Sequence, residues 1–102
     1  MSTALSIGDI QQVLSGLTLD QRVNRLVLFG SHASGTAREQ SDLDIYLDSG
    51  RQITGLDFFA LKATLEDAFS RDIDLLPDLD VVPGSKVANE IKRHGVVVYA
   101  KD

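Results

Sequence analysis

The spacing of apolar residues along the chain predicts three helices. The first helix is predicted to begin after Ser6 and to end near Leu17. Ser6 and Asp9 resemble the pair of residues that caps the start of a helix. The second has a broad apolar face, and the third is bounded by a proline and a glycine. These two helices are predicted for residues 56–69 and 87–93. Three aromatic residues of the second helix are interpreted as core residues: Phe58, Phe59 and Phe69.

Runs of apolar residues predict three strands, at residues 23–29, 43–47 and 71–76, and a short terminal strand or tail at residues 96–99. The first strand ends in a continuous apolar run, which is typical of a strand covered on both faces. The connection between the first two strands lacks the helix that a parallel crossover needs, so we expect these strands to be antiparallel neighbours. The order of elements indicates an α/β or α+β fold. With 102 residues, we expect a single domain that spans residues 1–102.

Carboxylates occupy alternate positions on two of these predicted strands. Asp42 and Asp44 are two residues apart, so both side chains leave the same face of a strand. Asp74 lies on the third strand, where Asp72 competes for the same role; we favour Asp74 because it lies deeper in the strand. If the third strand lies beside the second, the three carboxylates converge, and they repel one another unless a cation lies between them. The intervening residues are expected to face the core: Leu43, Ile45 and Leu47.

Three other residues on or after these strands are interpreted as structural or solvent-exposed residues. Tyr46 is interpreted as a half-buried strand tyrosine, with a role as an aromatic lining near a nucleotide as the alternative. Asp78 and Asp80, which follow the third strand, are interpreted as solvated loop residues.

A turn rich in small residues follows the first predicted strand. Its first two residues, Gly30 and Ser31, come directly after the apolar run and offer backbone N–H groups to a phosphate. Mg²⁺ takes oxygen ligands and usually shares its coordination shell with substrate phosphates. The turn and the carboxylates together predict metal-assisted phosphoryl or nucleotidyl transfer.

Composition narrows the classes of partner and compartment. The net charge of −5 argues against sequence-independent nucleic-acid binding, which depends on neutralising phosphates with lysine and arginine. The chain has no cysteine, which excludes disulfides and thiolate metal sites and fits a reducing compartment. No apolar stretch approaches the length needed to span a bilayer, and residues 1–20 do not resemble a secretory signal. We therefore expect a cytoplasmic protein that does not associate with membranes.

The spacing of these residues resembles a known signature. Gly30-Ser31, ten intervening residues and Asp42-Leu43-Asp44 match the pattern of the DNA polymerase β-like nucleotidyltransferase superfamily. With Ile73-Asp74-Leu75, the chain is similar to the minimal nucleotidyltransferases, among which the MntA antitoxins pair with HEPN-domain toxins. The similarity extends from about Arg25 to Tyr99. It implies the polymerase β-like nucleotidyltransferase fold, a small mixed sheet flanked by helices.

The resemblance also implies a role for each matching residue. Asp42 and Asp44 would coordinate the Mg²⁺ ions that carry ATP, and Asp74 would be the third metal-binding carboxylate, helping to activate the attacking hydroxyl. Gly30 and Ser31 would hold the terminal phosphates. MntA-type members transfer AMP from ATP to a tyrosine hydroxyl of the HEPN toxin, so the implied partner is such a toxin, in a hetero-oligomer with this chain.

One position departs from the family pattern. Many relatives carry an arginine where this chain has Ser34, and loss of that arginine weakens the grip on phosphate. His32 and Arg38 are the residues that could compensate. The alternative hypothesis is therefore a weak or inactive nucleotidyltransferase that neutralises its toxin by binding alone. A small-molecule nucleotidyltransferase of the antibiotic-modifying kind is a remoter alternative, since those enzymes usually carry an additional domain for the acceptor.

Overall fold

In the computed structural model, residues 6–30 and 42–101 are described, and their helices and strands follow the predicted order. The helices are α1 (Ile7–Ser15), α2 (Gly55–Phe69) and α3 (Lys86–His94), and the strands are β1 (Arg25–Phe29), β2 (Leu43–Asp48), β3 (Ile73–Pro77) and β4 (Val96–Ala100), with a 3₁₀ turn at Asp78–Asp80. The three predicted helices and the first three predicted strands are confirmed, with bounds that differ by a few residues. The terminal segment, predicted as a strand or a tail, is a strand. No helix in the described ranges has the length and apolar character needed to cross a membrane.

The predicted start of α1 is also confirmed in detail. The N–H of Asp9 donates to the hydroxyl of Ser6 at 3.0 Å, and the N–H of Ser6 donates to the carboxylate of Asp9 at 3.3 Å. This reciprocal pair satisfies two of the backbone donors that a helix start leaves without partners.

The four strands form one mixed sheet in the order β3-β2-β1-β4. β1 is antiparallel to both β2 and β4, which confirms the expectation for the first two strands. β2 and β3 are parallel, and α2 is the crossover helix that such a pair requires. The register places Asp44 of β2 opposite Asp74 of β3 on one side and opposite Phe29 of β1 on the other.

One face of the sheet packs against α1 and α2 to form the core. In β2 the residues Leu43, Ile45 and Leu47 are fully buried, as the two-residue period predicts. They belong to one cluster with residues from both helices and from all other strands, among them Ile10, Leu14, Leu26, Leu28, Leu61, Leu65, Phe69, Ile73, Leu75 and Val98. This face is called the core face below.

The prediction for the aromatic residues of α2 is correct only in part. Phe69 is buried and Phe58 is half-buried, whereas Phe59 is 63% exposed, so the interpretation of Phe59 as a core residue is wrong. The helix meets the core through Leu61, Leu65 and Phe69, which are spaced four residues apart and form one stripe. Apolar residues surround much of α2, and only the docked helix reveals which stripe the sheet covers.

The opposite face of the sheet is partly covered by α3. The hydroxyl of Ser85 accepts a hydrogen bond from the N–H of Ala88 at 3.2 Å and caps the helix start. At the other end, a Cβ added to Gly95 would lie 2.6 Å from the Cγ1 atom of Val27, so glycine permits the close approach to β1. Val27 is buried there, which confirms that β1 is covered on both faces.

Candidate functional site

Two of the predicted carboxylates lie side by side on the face opposite the core. Asp44 and Asp74 are paired in the register of β2 and β3, and their apolar neighbours in sequence all face the core. Asp44 is half-buried and Asp74 is exposed, so the pair is open to a ligand from solvent. Asp42 immediately precedes β2 and is also exposed. The face that carries Asp44, Tyr46 and Asp74 is called the carboxylate face below.

The electrostatics of Asp44 reflect this crowding. The pKa of Asp44 is raised, first because burial removes water from its charged form and then because of the negative charges of Asp74 and Asp42. Its side-chain hydrogen bond with Asp74 raises the pKa further. A cation between these carboxylates would offset their mutual repulsion.

The three carboxylates do not yet form a closed metal site. Among residues 6–30 and 42–101, no group of three histidine, cysteine or acidic side chains stands in a ready arrangement for a metal ion. Asp44 and Asp74 form the close pair, and Asp42 acts on Asp44 through its charge. The donor set itself fits a hard cation such as Mg²⁺, since all three residues supply carboxylate oxygens.

Gly30 joins the end of β1 to this carboxylate pair. Its φ angle is +74°, in the left-handed region that favours glycine. A Cβ at this position would lie 3.1 Å from Cγ of Asp44 and would collide with the Oδ2 atom. The backbone of the small-residue turn therefore starts close to a carboxylate, and a side chain at position 30 would strain the backbone and displace Asp44.

The rest of the predicted phosphate turn lies outside the described residues. This applies to Ser31, the second predicted phosphate-binding residue, and to Ser34, the departure from the family pattern. It also applies to His32 and Arg38, the residues considered as compensation for the missing arginine.

The strand register favours Asp74 over Asp72 as the third carboxylate of the candidate site. Asp74 lies within β3 directly opposite Asp44, whereas Asp72 precedes the strand. The charge of Asp74, and not that of Asp72, acts on Asp44. Asp74 is therefore the residue of the two that pairs with Asp44. Its role as a metal ligand stays a prediction.

Asp78 has a function in the fold that sequence reasoning missed. Its Oδ2 atom accepts hydrogen bonds from the N–H groups of Ser49 and Arg51, each at 3.0 Å, so the interpretation of Asp78 as a solvated loop residue is wrong. The bonds hold the turn after β2, in which Arg51 has a φ of +64°. The Oδ1 atom is buried with no hydrogen-bond partner among the described residues. Asp80 is exposed, as predicted.

The chain is similar to proteins of known family and structure. The family described as "Polymerase beta, Nucleotidyltransferase" matches residues 10–102. A protein from Methanocaldococcus jannaschii that is named as a protein adenylyltransferase is 32% identical over 72 residues, which cover 71% of this chain and 77% of the relative.

Solved structures, among them two toxin–antitoxin complexes, share the fold. A toxin–antitoxin crystal structure with AMP-PNP superposes with a TM-score of 0.68 at 22% identity, over 95% of this chain and 75% of that chain. A complex of the tri-AMPylated HEPN toxin of Shewanella oneidensis with its MNT antitoxin gives a TM-score of 0.66 at 17% identity, over 93% and 73% of the two chains.

Proposed function

Because the chain belongs to the polymerase β nucleotidyltransferase family, we propose that it transfers AMP from ATP to a tyrosine hydroxyl of a HEPN-domain toxin. The observation that carries this proposal is the pairing of Asp44 with Asp74 against the backbone of Gly30. Asp44 is the register partner of Asp74, and it also lies against the backbone of Gly30, the first residue of the proposed phosphate-binding turn. Metal-assisted nucleotidyl transfer needs those groups in that proximity.

Asp42, Asp44 and Asp74 are the residues that would hold Mg²⁺. Their oxygens suit the ion. The pKa of Asp44 is raised by burial and by the charges of Asp74 and Asp42, and a divalent cation would favour the ionised form of this carboxylate. When bound, Mg²⁺ supplies charge neutralisation for the phosphate oxygens and acidifies the attacking hydroxyl. Gly30 and Ser31 would receive the terminal phosphates through their backbone N–H groups.

In this proposal Asp74 also receives the proton of the acceptor. Its exposed carboxylate is accessible to a hydroxyl that a partner protein presents. The tyrosine oxygen forms a bond to the α-phosphorus of ATP as the bond from that phosphorus to the bridging oxygen breaks. Pyrophosphate leaves, and the phenolic proton passes to Asp74.

The choice of acceptor is supported by the proteins that resemble this chain. One relative is named for adenylyl transfer to protein, one structural neighbour contains AMP-PNP, and another contains a tri-AMPylated HEPN toxin. The chain also exposes large apolar side chains that a partner could cover, including Leu56 at 86% and Phe59 at 63%. We therefore propose a hetero-oligomer with the toxin.

The test is transfer of label from ATP that carries ³²P at the α-phosphate, measured on a co-purified HEPN partner with Mg²⁺ and with EDTA. We expect a labelled tyrosine, located by mass spectrometry, that is lost with EDTA and falls about 10²–10³-fold in Asp74→Asn. Asp80→Asn is the matched control, since Asp80 is an exposed aspartate six residues further along the chain, and it should keep full transfer.

Absence of label from wild-type protein bound to its partner would contradict the proposal. If Asp42→Asn then still neutralised the toxin, neutralisation by binding alone would be the better description.

A further inference from the structure

Phe29 is an apolar residue on the carboxylate face, at the end of β1 nearest to the carboxylates. Leu26 and Leu28, three residues and one residue earlier, are fully buried on the core face, so strand alternation directs the side chain of Phe29 to the opposite face. The residue is half-buried there, although it does not belong to the core cluster of the described residues. The shielding of Phe29 from water therefore arises on the carboxylate face.

The paired neighbour of Phe29 is Asp44. The pairing of β1 with β4 ends at Leu28 and Val96, whereas its pairing with β2 continues to Phe29 and Asp44. Residues directly opposite each other on antiparallel strands share a face of the sheet, and their Cβ atoms are about 4.5–5.5 Å apart. A phenylalanine ring at this separation extends beyond the carboxylate of an aspartate. The ring of Phe29 therefore forms an apolar wall on the β1 side of Asp44.

The remaining surroundings of Asp44 are open or polar. Gly30, the residue after Phe29, presents backbone alone, and a Cβ at that position would lie 3.1 Å from Cγ of Asp44. The carboxylate thus leans into the space that the missing side chain of Gly30 leaves. On the β3 side, Asp74 is the register partner of Asp44. The wall at Phe29 leaves the carboxylate of Asp44 directed toward Gly30 and Asp74.

We propose that Phe29 is a positioning residue for Asp44 as a ligand of the metal ion. The inference rests on the proposed function for the place of Mg²⁺. The ring of Phe29 keeps water from one side of the carboxylate and restricts the directions in which it can turn. An apolar shell around a metal site lowers the local dielectric constant, which strengthens the attraction between a carboxylate and a cation. A side chain that is already oriented also loses less conformational entropy when it binds.

The test measures the affinity of the protein for Mn²⁺ alone, a paramagnetic substitute for Mg²⁺, by electron paramagnetic resonance. We expect Phe29→Ala to bind Mn²⁺ about tenfold more weakly than wild-type protein, because the support of a metal ligand is removed. Phe29→Leu keeps an apolar wall and should recover most of the affinity. If Phe29→Ala does not fold, as judged by circular dichroism, Phe29→Val favours a strand but is too short to cover the carboxylate, and it serves the same comparison.

Phe58→Ala is the matched control. Phe58 is also a half-buried phenylalanine, and it packs against the core cluster from α2. Thermal denaturation should show a loss of stability similar to that of Phe29→Ala, whereas the affinity for Mn²⁺ should be that of wild-type protein. A purely structural role of Phe29 would make the two variants alike, so the difference between their Mn²⁺ affinities is the readout that identifies positioning.

Equal Mn²⁺ affinities of wild-type protein and Phe29→Ala would overturn this inference, and AMP transfer by wild-type protein would then still support the proposed function. A loss of affinity that Phe58→Ala shares, or wild-type protein that binds no Mn²⁺, would overturn the inference as well. Weaker Mn²⁺ binding by Phe29→Ala alone, where wild-type protein transfers no AMP to its partner, would support the positioning role and contradict the proposed function.

Discussion

The two faces of β2 differ in what their side chains contribute: one face supplies core residues, and the other supplies residues of the candidate site. Leu43, Ile45 and Leu47 are fully buried on the core face, while Asp44 and Tyr46 between them are half-buried on the other. The core face gains free energy from the apolar surface it buries. The carboxylate face does the opposite, because burial and neighbouring charges act against the ionised form of Asp44. Neighbouring residues one step apart therefore make opposite contributions to folding.

The largest effect on folding is expected on the core face. Ile45→Ala removes a fully buried side chain between Asp44 and Tyr46 and should lower the free energy of unfolding by about 2–5 kcal/mol. Urea denaturation measures this loss. Transfer activity per folded molecule should be retained, because the substitution leaves the carboxylate face unchanged. A selective loss of transfer in fully folded protein would contradict the separation of the two faces.

An intermediate effect is expected where β1 meets the carboxylates. Gly30→Ala adds a methyl group at a φ of +74° and against Asp44, and should lower the free energy of unfolding by about 1–3 kcal/mol and impair transfer. Gly84→Ala is the control, since Gly84 has a φ of +80° with no atom near the added Cβ. Thermal denaturation and transfer assays of both variants separate backbone strain from the collision with Asp44. Equal effects of the two variants would show that the contact with Asp44 is unimportant.

The smallest expected effect on folding is an increase in stability, on substitution of Asp44. Because the folded-state pKa of Asp44 is raised, its ionised form destabilises the fold above that pKa, and the penalty disappears as the pH falls through it. Asp44→Asn should therefore raise the free energy of unfolding at pH 7, by less than about 1 kcal/mol for this partly solvated group. Denaturation curves of both proteins across the acidic range should converge as the pH falls. Lower stability of Asp44→Asn at neutral pH would contradict this electrostatic account.

Most of the fold can be predicted from the sequence because its signals are local. The two-residue period of β2 separates core leucines from aspartates, and the capping pair at Ser6 marks the start of α1. The length of the connection after β1 predicts antiparallel pairing. The placement of Asp74 beside Asp44 required the added assumption that β3 neighbours β2, which the sheet order satisfies.

What the sequence could not predict depends on contacts between distant segments. The exposure of Phe59 follows from the rotation with which α2 docks on the sheet, and a helix with apolar residues on several sides does not specify that rotation. Asp78 binds backbone groups of Ser49 and Arg51, almost thirty residues earlier, and no local pattern marks such a contact.

The most direct test of the account measures two properties of Asp44→Asn, its rate of labelled AMP transfer and its free energy of unfolding. The account predicts a folded protein that is at least as stable as wild type at pH 7 and transfers AMP about 10²–10³-fold more slowly to the HEPN partner. Undiminished transfer by this variant would contradict the assignment of catalysis to the carboxylate face.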